Sequence, residues 1–428
     1  MLSKFMIMKR LGFISTLNVF GTALFILLSM SCEKVDNDPD KHISDADPSF
    51  IELQEVAEIL TLLPIERNQL VEVHDAVSSS SCNGYDEEYL MSNLFSQPGS
   101  GVGDPQTRSG KGYGNPMRSL IETAVKDISA GVMKSGAKAD LNVSSTIERL
   151  GPDRFIDALK RSDIQIYWPF SDEWDGEDGL IVTYDPEDGS DKNIGYRLFV
   201  GDDGFRQVEE VLVDEEMAKE CPVWVVNRND DATFTSLEML RREDPDWGEG
   251  GGNIIVKPKS AKVDTKASGT SRSLILRDFT MKRNYDTWFA GASEFFVKLG
   301  AVEDFSASTE AELRLYNPSI TDFMVVVRRN KLGVPQQFNA VLVSDMSEQL
   351  THCAMMITED DGGTITKWET TALVRIASKS YGIELSFPFN SRDDIVWRGQ
   401  LATTWFENNS NIVGHFGDVD LTFEVLEN

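Results

Sequence analysis

Between Tyr167 and Asp175 the chain reads Tyr-Trp-Pro-Phe-Ser-Asp-Glu-Trp-Asp, with aromatic rings interleaved with carboxylates. Trp and Tyr stack on the apolar faces of sugars while carboxylates accept hydrogen bonds from hydroxyls, so the pattern suits a glycan-binding cleft. Glycoside hydrolysis needs only two acids held several ångströms apart, and the 167–191 region supplies candidates for such a carboxylate pair. A strand end carrying two core aromatics and an acidic turn accounts for the same residues without any ligand. Residues 172–191 also hold nine acids (Asp172, Glu173, Asp175, Glu177, Asp178, Asp185, Glu187, Asp188 and Asp191) and no Lys or Arg. Such a run either fans its carboxylates into water or binds a hard cation, and Ca²⁺, with roughly six to eight oxygen ligands, tolerates irregular loops. Its spacing matches no calcium loop, so no cofactor is assigned; Ca²⁺ on this run is the one ion considered.

Other constellations fail on their own chemistry. His42, His74, His352 and His415 are the only histidines, and no His-Glu-x-x-His brings two of them to one helix face. His74 and Asp75 are adjacent on a helical stretch, where neighbouring side chains point apart. Ser135-Gly136-Ala137-Lys138 has the Ser-x-x-Lys spacing, but Gly136 weakens the helix that would align the pair. A phosphate loop over Gly103–Gly112 needs a Gly where Pro105 stands and a Ser or Thr where Gly112 stands. Thr358–Glu369 approaches an EF-hand loop, yet Thr358 and Gly362 occupy positions that need carboxylates, and the loop lies between strands; a Gly362-Gly363 hairpin turn is the simpler reading. No catalytic, cofactor or metal residue is assigned.

Three modules must position whatever chemistry exists. Ile51, Val56, Ile59 and Leu60 recur at helical spacing until Pro64, and a second helix is expected over Leu70–Val77, broken by Ser78–Ser81. Helices resume at Ser119–Val132 and Ser144–Lys160, the latter split by Gly151-Pro152. From Asp163 the texture changes to short apolar runs bounded by Gly, Asp and Pro: Ile164–Trp168, Leu180–Tyr184, Tyr196–Val200 and Val223–Val226. Further strands are expected at Phe323–Val327, Ala340–Val343, Ala354–Ile357, Leu373–Ile376, Ile383–Phe387, Leu401–Phe406 and the strictly alternating Val419–Val425. The fold class is therefore α+β and multidomain: a helix-rich module at 49–162, a mixed strand-containing module at 163–240, a linker or long loop at 241–272, and an antiparallel β-sandwich at 273–428.

The first residues give a location. Lys4, Lys9 and Arg10 precede an 18-residue apolar run, Leu11–Leu28, and no acid occurs before Glu33. That is the layout of a secretory signal, with a membrane anchor as the competing reading; the small Ser31 before a lone Cys32 favours cleavage. Ser29-Met30-Ser31-Cys32 resembles a bacterial lipoprotein signal, although the usual Leu stands one place early. The tether that follows, Glu33-Lys34-Val35-Asp36-Asn37-Asp38-Pro39-Asp40, looks like the surface-export tag of Bacteroidota lipoproteins. The resemblance, confined to about 45 residues, implies a signal peptide at 1–31, an acidic tether at 32–48, and palmitate-type lipidation at Cys32. It also implies an outer-membrane protein, surface-exposed, that meets the membrane through its lipid alone.

Composition agrees with that setting. The 428 residues include 41 Lys+Arg against 70 Asp+Glu, a formal charge of −29, which excludes nucleic acid as a partner and disfavours an anionic membrane surface. With Cys32 lipidated, Cys82, Cys221 and Cys353 allow at most one disulfide, whose pairing is open. The function expected is non-enzymatic binding of a glycan or protein ligand at the cell surface. The alternatives are a glycan hydrolase using the 167–191 carboxylates and a structural component of a surface assembly.

Overall fold

A computed structural model describes residues 51–96, 113, 115–132, 145–176, 179–186, 188–201, 206–229, 235–236, 238–239 and 272–427. The signal, Cys32, His42, the tether, the Ser135–Lys138 motif, the Gly103–Gly112 stretch and most of the 241–272 linker lie outside them.

Helices come first, each set by an apolar stripe. They are α1 (Leu53–Leu62), α2 (Arg67–Cys82), α3 (Met91–Leu94), α4 (Met117–Ser129), α5 (Ser145–Leu150) and α6 (Pro152–Leu159). Pro152 opens α6 at its first turn, where a missing N–H costs nothing, and Gly151 at φ 80° makes the break from α5. The expected stop at Ser78–Ser81 does not occur, and α2 runs on to Cys82. Ser80 is buried there and its hydroxyl donates to Glu88, so tertiary contact overrides the weak helix preference of serine.

Two buried acids organise these helices. Neither the Pro116 that precedes α4 nor α4 itself supplies a side-chain cap; Glu72 of α2 instead accepts from Met117 N–H at 2.9 Å. Glu55 of α1 does the same for Thr146 at the start of α5. A carboxylate at a helix N-terminus meets both the orphan N–H groups and the positive end of the dipole.

The helices cover one face of a six-stranded sheet. Its strands are β1 (Glu88–Leu90), β2 (Ile164–Tyr167), β3 (Ile181–Tyr184), β4 (Lys192–Val200), β5 (Arg206–Asp214) and β6 (Val223–Arg228), in the order β1-β2-β6-β3-β4-β5. Only the β3/β6 pair is parallel. The period of two sorts side chains between faces: Trp224 and Val226 join the helices, whereas Val223 and Val225 point the other way. Strand β1 arises inside the stretch read as helical, and the α1–α6 side chains share one core with β2, β3 and β6. The 49–162 and 163–240 stretches, expected as separate modules, therefore form a single two-layer unit.

Residues 272–427 are almost entirely antiparallel sheet. One sheet is ordered β10-β7-β16-β15, from β7 (Arg272–Met281), β10 (Gln336–Met346), β15 (Val413–Phe416) and β16 (Val419–Glu427). The other is ordered β13-β12-β11-β8-β9, from β8 (Ser293–Ala301), β9 (Ser319–Val327), β11 (Leu350–Glu359), β12 (Ile365–Ile376) and β13 (Lys379–Asn390). Strand β14 (Asp394–Ala402) pairs β11 alongside β12. Leu276, Phe279, Leu421 and Phe423 from the first sheet and Phe295, Val297, Met355 and Phe387 from the second lie in one buried cluster. The expected strand at Leu401–Phe406 ends early: after Ala402 the chain turns into helix α8 (Thr403–Asn408), which drives Phe406 into that cluster.

The β7–β8 loop joins the two halves. Trp288 and Phe289 are 1% and 0% exposed, stacked with centroids 3.9 Å apart, and pack with Tyr167, Val223 and Val225 on the face of the first sheet that the helices leave bare. Trp288 Nε1–H donates to the Asp191 carbonyl, and Asn227 of β6 donates to Phe289 and Ala290 carbonyls. The helix α7 (Glu215–Glu220), capped by the Asp214 carboxylate, adds Ala218 to this cluster. Replacing Trp288 by Ala removes the largest side chain of the joint and is expected to cost about 3–5 kcal/mol. Denaturant unfolding of the variant followed separately by far-ultraviolet dichroism and Trp fluorescence checks it; an unchanged midpoint would show that the wedge contributes nothing.

Candidate functional site

Two cavities flank the segment from Trp168 to Leu180. The larger, about 450 Å³, lies between α1 and β3–β4 and is walled by Leu60, Leu63, Leu70, Leu180, Val182 and Leu198. Its polar neighbours are committed to one another: Tyr196 O–H donates to Glu58, Thr61 donates to the Ala57 carbonyl, and Arg67 donates to the Gly176 carbonyl. Burial pushes the Tyr196 hydroxyl well above its usual range, with the Glu58 charge adding to the effect.

The smaller cavity, about 220 Å³, is of a different kind. Trp168, Phe170, Ala218 and Pro222 make a buried apolar floor, Trp174 a half-buried wall, and Glu173, Asp175, Lys219 and Glu220 a charged rim. Trp174 is held from both sides: its ring lies 5.2 Å from Trp168 and 5.1 Å from His74, and Arg67 sits 5.9 Å over it. His74 Nε2 is 3.0 Å from the Ser171 carbonyl, which fixes the proton on Nε2. Phe170 adopts left-handed φ 59°, an uncommon conformation for an aromatic residue, and lies under the Lys219 ammonium at 5.7 Å. Cys221 lines the same cavity, but burial raises its thiol pKa and its S–H donates to the Met217 carbonyl, which leaves it protonated and unsuited to nucleophilic attack.

The sequence-predicted residues are thus only partly gathered. Trp168, 1% exposed, floors the cavity that Glu173, Trp174 and Asp175 also line, whereas Tyr167, equally buried, lies outside it in the Trp288 cluster. Among the described acids of the run 172–191, Asp172 and Asp188 take separate partners. Asp172 accepts both hydrogen bonds it makes from Asn330, Asp188 turns back on Ser190 N–H, and the Asp191 carbonyl serves Trp288. Glu177, Asp178 and Glu187 lie outside the described residues. His352 rests against Thr351, and His415 pairs with Asp420 at 2.6 Å. Neither Cys221 nor Cys353 forms a disulfide.

Gly362 and Gly363 do form a tight left-handed turn, at φ 69° and 107°, but not a simple hairpin. β12 meets β11 only at Leu350 and His352, and β14 pairs the rest. The Gly362 carbonyl instead accepts from Arg392 N–H, and Asp360 accepts from Gly362 N–H and Asn390.

A second group of acids escaped the sequence reading because its members are far apart in the chain. Asp86 and Glu87, between α2 and β1, are 5% and 3% exposed. Glu87 pairs with Arg328 at 3.0 Å, and Arg328 also lies 3.8 Å from Asp172. Arg329 joins Glu215 at 3.3 Å and donates to the Asp286 carbonyl at 2.9 Å. Burial raises the pKa of Asp86; it raises that of Glu87 too, where the Asp86 charge adds to it and Arg328 opposes it. Burial pushes the Asp286 carboxyl up to about 6.

Compared with protein-family models, with curated proteins and with solved structures, the chain matches none. The part of the cavity's rim that α7 supplies (Lys219 and Glu220) had no local signal, since a Lys among acids on a short helix reads as solvated surface.

A carboxyl with a raised pKa in the fold favours the protonated native state. Its contribution is present below the unfolded value near 3.9 and is lost as pH climbs through about 6. In chelator-treated buffer the wild type should therefore lose stability relative to Asp286→Asn between pH 4 and 7, on the order of 3 kcal/mol at roughly 1.4 kcal/mol per pH unit. Parallel stability–pH curves for the two proteins would contradict the assignment.

Proposed function

We propose that the chain is an envelope lipoprotein, anchored through Cys32 to the outer membrane and exposed at the cell surface, that binds glycan in the Trp174 cavity. The observation that carries the binding reading is the construction of that cavity: a braced aromatic wall over an apolar floor, with carboxylates at the rim. One apolar sugar face against Trp174 and hydroxyls toward Glu173, Asp175 and Glu220 use each of these groups. A volume of about 220 Å³ suits one ring or a chain end, not a long oligomer held along its length.

The location rests on the signal-like residues 1–31 and the acidic tether. Among the described residues no helix is long and apolar enough to cross a membrane. The C-terminal stretch is best read as an antiparallel β-sandwich, because its two sheets bury their facing residues in one cluster. A hydrolase is the second reading, favoured by the three rim carboxylates: any two of Glu173, Asp175 and Glu220 would serve as an acid and a base or nucleophile.

Growth with labelled palmitate should mark the protein, and Cys32→Ala should abolish the label; a wild type that never labels sinks the lipoprotein reading. On an array of immobilised oligosaccharides, Trp174→Ala should weaken retention about tenfold, the equivalent of one stacked ring. Release of reducing ends that disappears in Glu173→Gln or Asp175→Asn would instead establish the hydrolase. Retention by no glycan would end both sugar readings.

A further inference from the structure

The helical layer is interrupted where α1 gives way to α2. Leu63, Ile65 and Glu66 belong to the turn between them, and all three line the larger cavity. On the sheet side, Val182 pairs with Tyr196 across β3 and β4, and the period of two puts Leu198 on the same face as Tyr196. With Leu60, Leu63 and Leu70 they wall a slot of about 450 Å³, within the range of roughly 300–1,000 Å³ that small-molecule sites occupy.

The polar side chains of this lining divide into two kinds. Tyr196 O–H donates to Glu58, Thr61 donates to the Ala57 carbonyl, and Glu66 closes the capping box of α2 with Gln69. These three are spent within the protein, and aliphatic walls whose polar neighbours are satisfied favour an apolar occupant.

Arg67 is the exception. It stands exposed at the first position of α2 and lines the same slot. One N–H donates to the Gly176 carbonyl at 2.7 Å, and the guanidinium lies 5.9 Å over Trp174. Gly176 makes room for it, since a Cβ there would stand 2.6 Å from Nη2. Among the described residues no carboxylate forms an ion pair with Arg67, in a chain of 70 acids against 41 bases. A guanidinium held at an aliphatic slot complements a carboxylate carried on an aliphatic chain. A sugar would bring hydroxyls that these walls do not pair, and a cationic amphiphile would set like charges together.

We propose that the slot binds an unbranched aliphatic carboxylate, with its tail against Leu60, Leu63, Val182 and Leu198 and its carboxylate at Arg67. The slot shares no lining residue with the Trp174 cavity, so either assignment can fail without the other.

The test uses the full chain, extracted in detergent and exchanged into amphipol so that no free detergent competes. Calorimetric titration with sodium decanoate, read against amphipol alone, should show one saturable site per chain. 1-Decanol should bind about tenfold more weakly, because it keeps the tail and loses the charge-assisted pair. Arg67→Gln, at an exposed position, should bring decanoate down to the level of decanol and leave decanol unchanged, which a merely loosened fold would not do. Leu180→Trp, which fills the slot, should abolish the binding of both; the Arg67→Gln comparison stands without it if that variant does not fold. Lys219→Ala, which removes the cation at the rim of the aromatic cavity, should bind decanoate as the wild type does. Absence of saturable binding to the wild type overturns the proposal. So do equal affinities for decanoate and decanol, tighter binding of decyltrimethylammonium, or unchanged decanoate affinity in Arg67→Gln or in a folded Leu180→Trp protein. A loss of decanoate binding in Lys219→Ala would place the ligand in the other cavity and overturns it as well.

Discussion

Everything in the described chain hangs on one insertion: Trp288 and Phe289, carried on the loop between two strands of the C-terminal sheets, fill the bare face of the N-terminal sheet. A six-stranded sheet with helices on one side only would leave Tyr167, Val223 and Val225 against water. Those three side chains are 1%, 0% and 0% exposed because a loop from the other half of the molecule covers them. The indole N–H and the carbonyls of residues 289 and 290 all find partners on the first sheet, so the wedge is polar-satisfied as well as apolar. Arg328, Arg329 and Asn330, between β9 and β10 of the same half, pair with Glu87, Glu215 and Asp172. Phe170 and Ala218, which line the smaller cavity, belong to the cluster that this joint forms.

The acid surplus is therefore not only a solvating coat. Glu72 and Glu55 accept from backbone N–H groups at the starts of α4 and α5, and burial raises the pKa of each. Asp86 tethers the Gly291–Ala292 step, where the left-handed φ of 140° and an Asp86 oxygen 2.8 Å from any added Cβ exclude other residues at Gly291. In each case a carboxylate stands where a backbone N–H would otherwise be unpaired.

Local signals in the sequence were readable wherever a short window determines the outcome. The Gly151-Pro152 break, the β2, β3 and β6 strands and the alternation through Val419–Val425 follow from period, proline and glycine alone. What was lost depends on distant partners. β5 (Arg-Gln-Val-Glu-Glu-Val-Leu-Val-Asp) is too charged to read as a strand by itself, and it exists because all nine of its residues pair with β4. β8 is buried on both faces, including Glu294 and Lys298, so no alternation marks it; Lys298 is admitted by the Pro388 carbonyl and Asp322. At the candidate site the sequence pointed to Trp168, Glu173, Trp174 and Asp175, which line one cavity, but placed Tyr167 beside them, because a strand's end and a cavity's rim share one composition. The Asp286–Glu359–Asp361 group joins a loop to a strand end about 70 residues further along the chain and had no sequence signature of any kind.

The wedge also dictates an order of events during synthesis. The last strand of the first sheet ends at Arg228, and Trp288 emerges about 60 residues later. At about 5–20 residues per second, that interval lasts roughly 3–12 s. Throughout it the helices can close over their side of the sheet while Tyr167, Val223 and Val225 stay bare. The face of Tyr167, Val223 and Val225 is thus covered by a part of the chain made after the sheet itself.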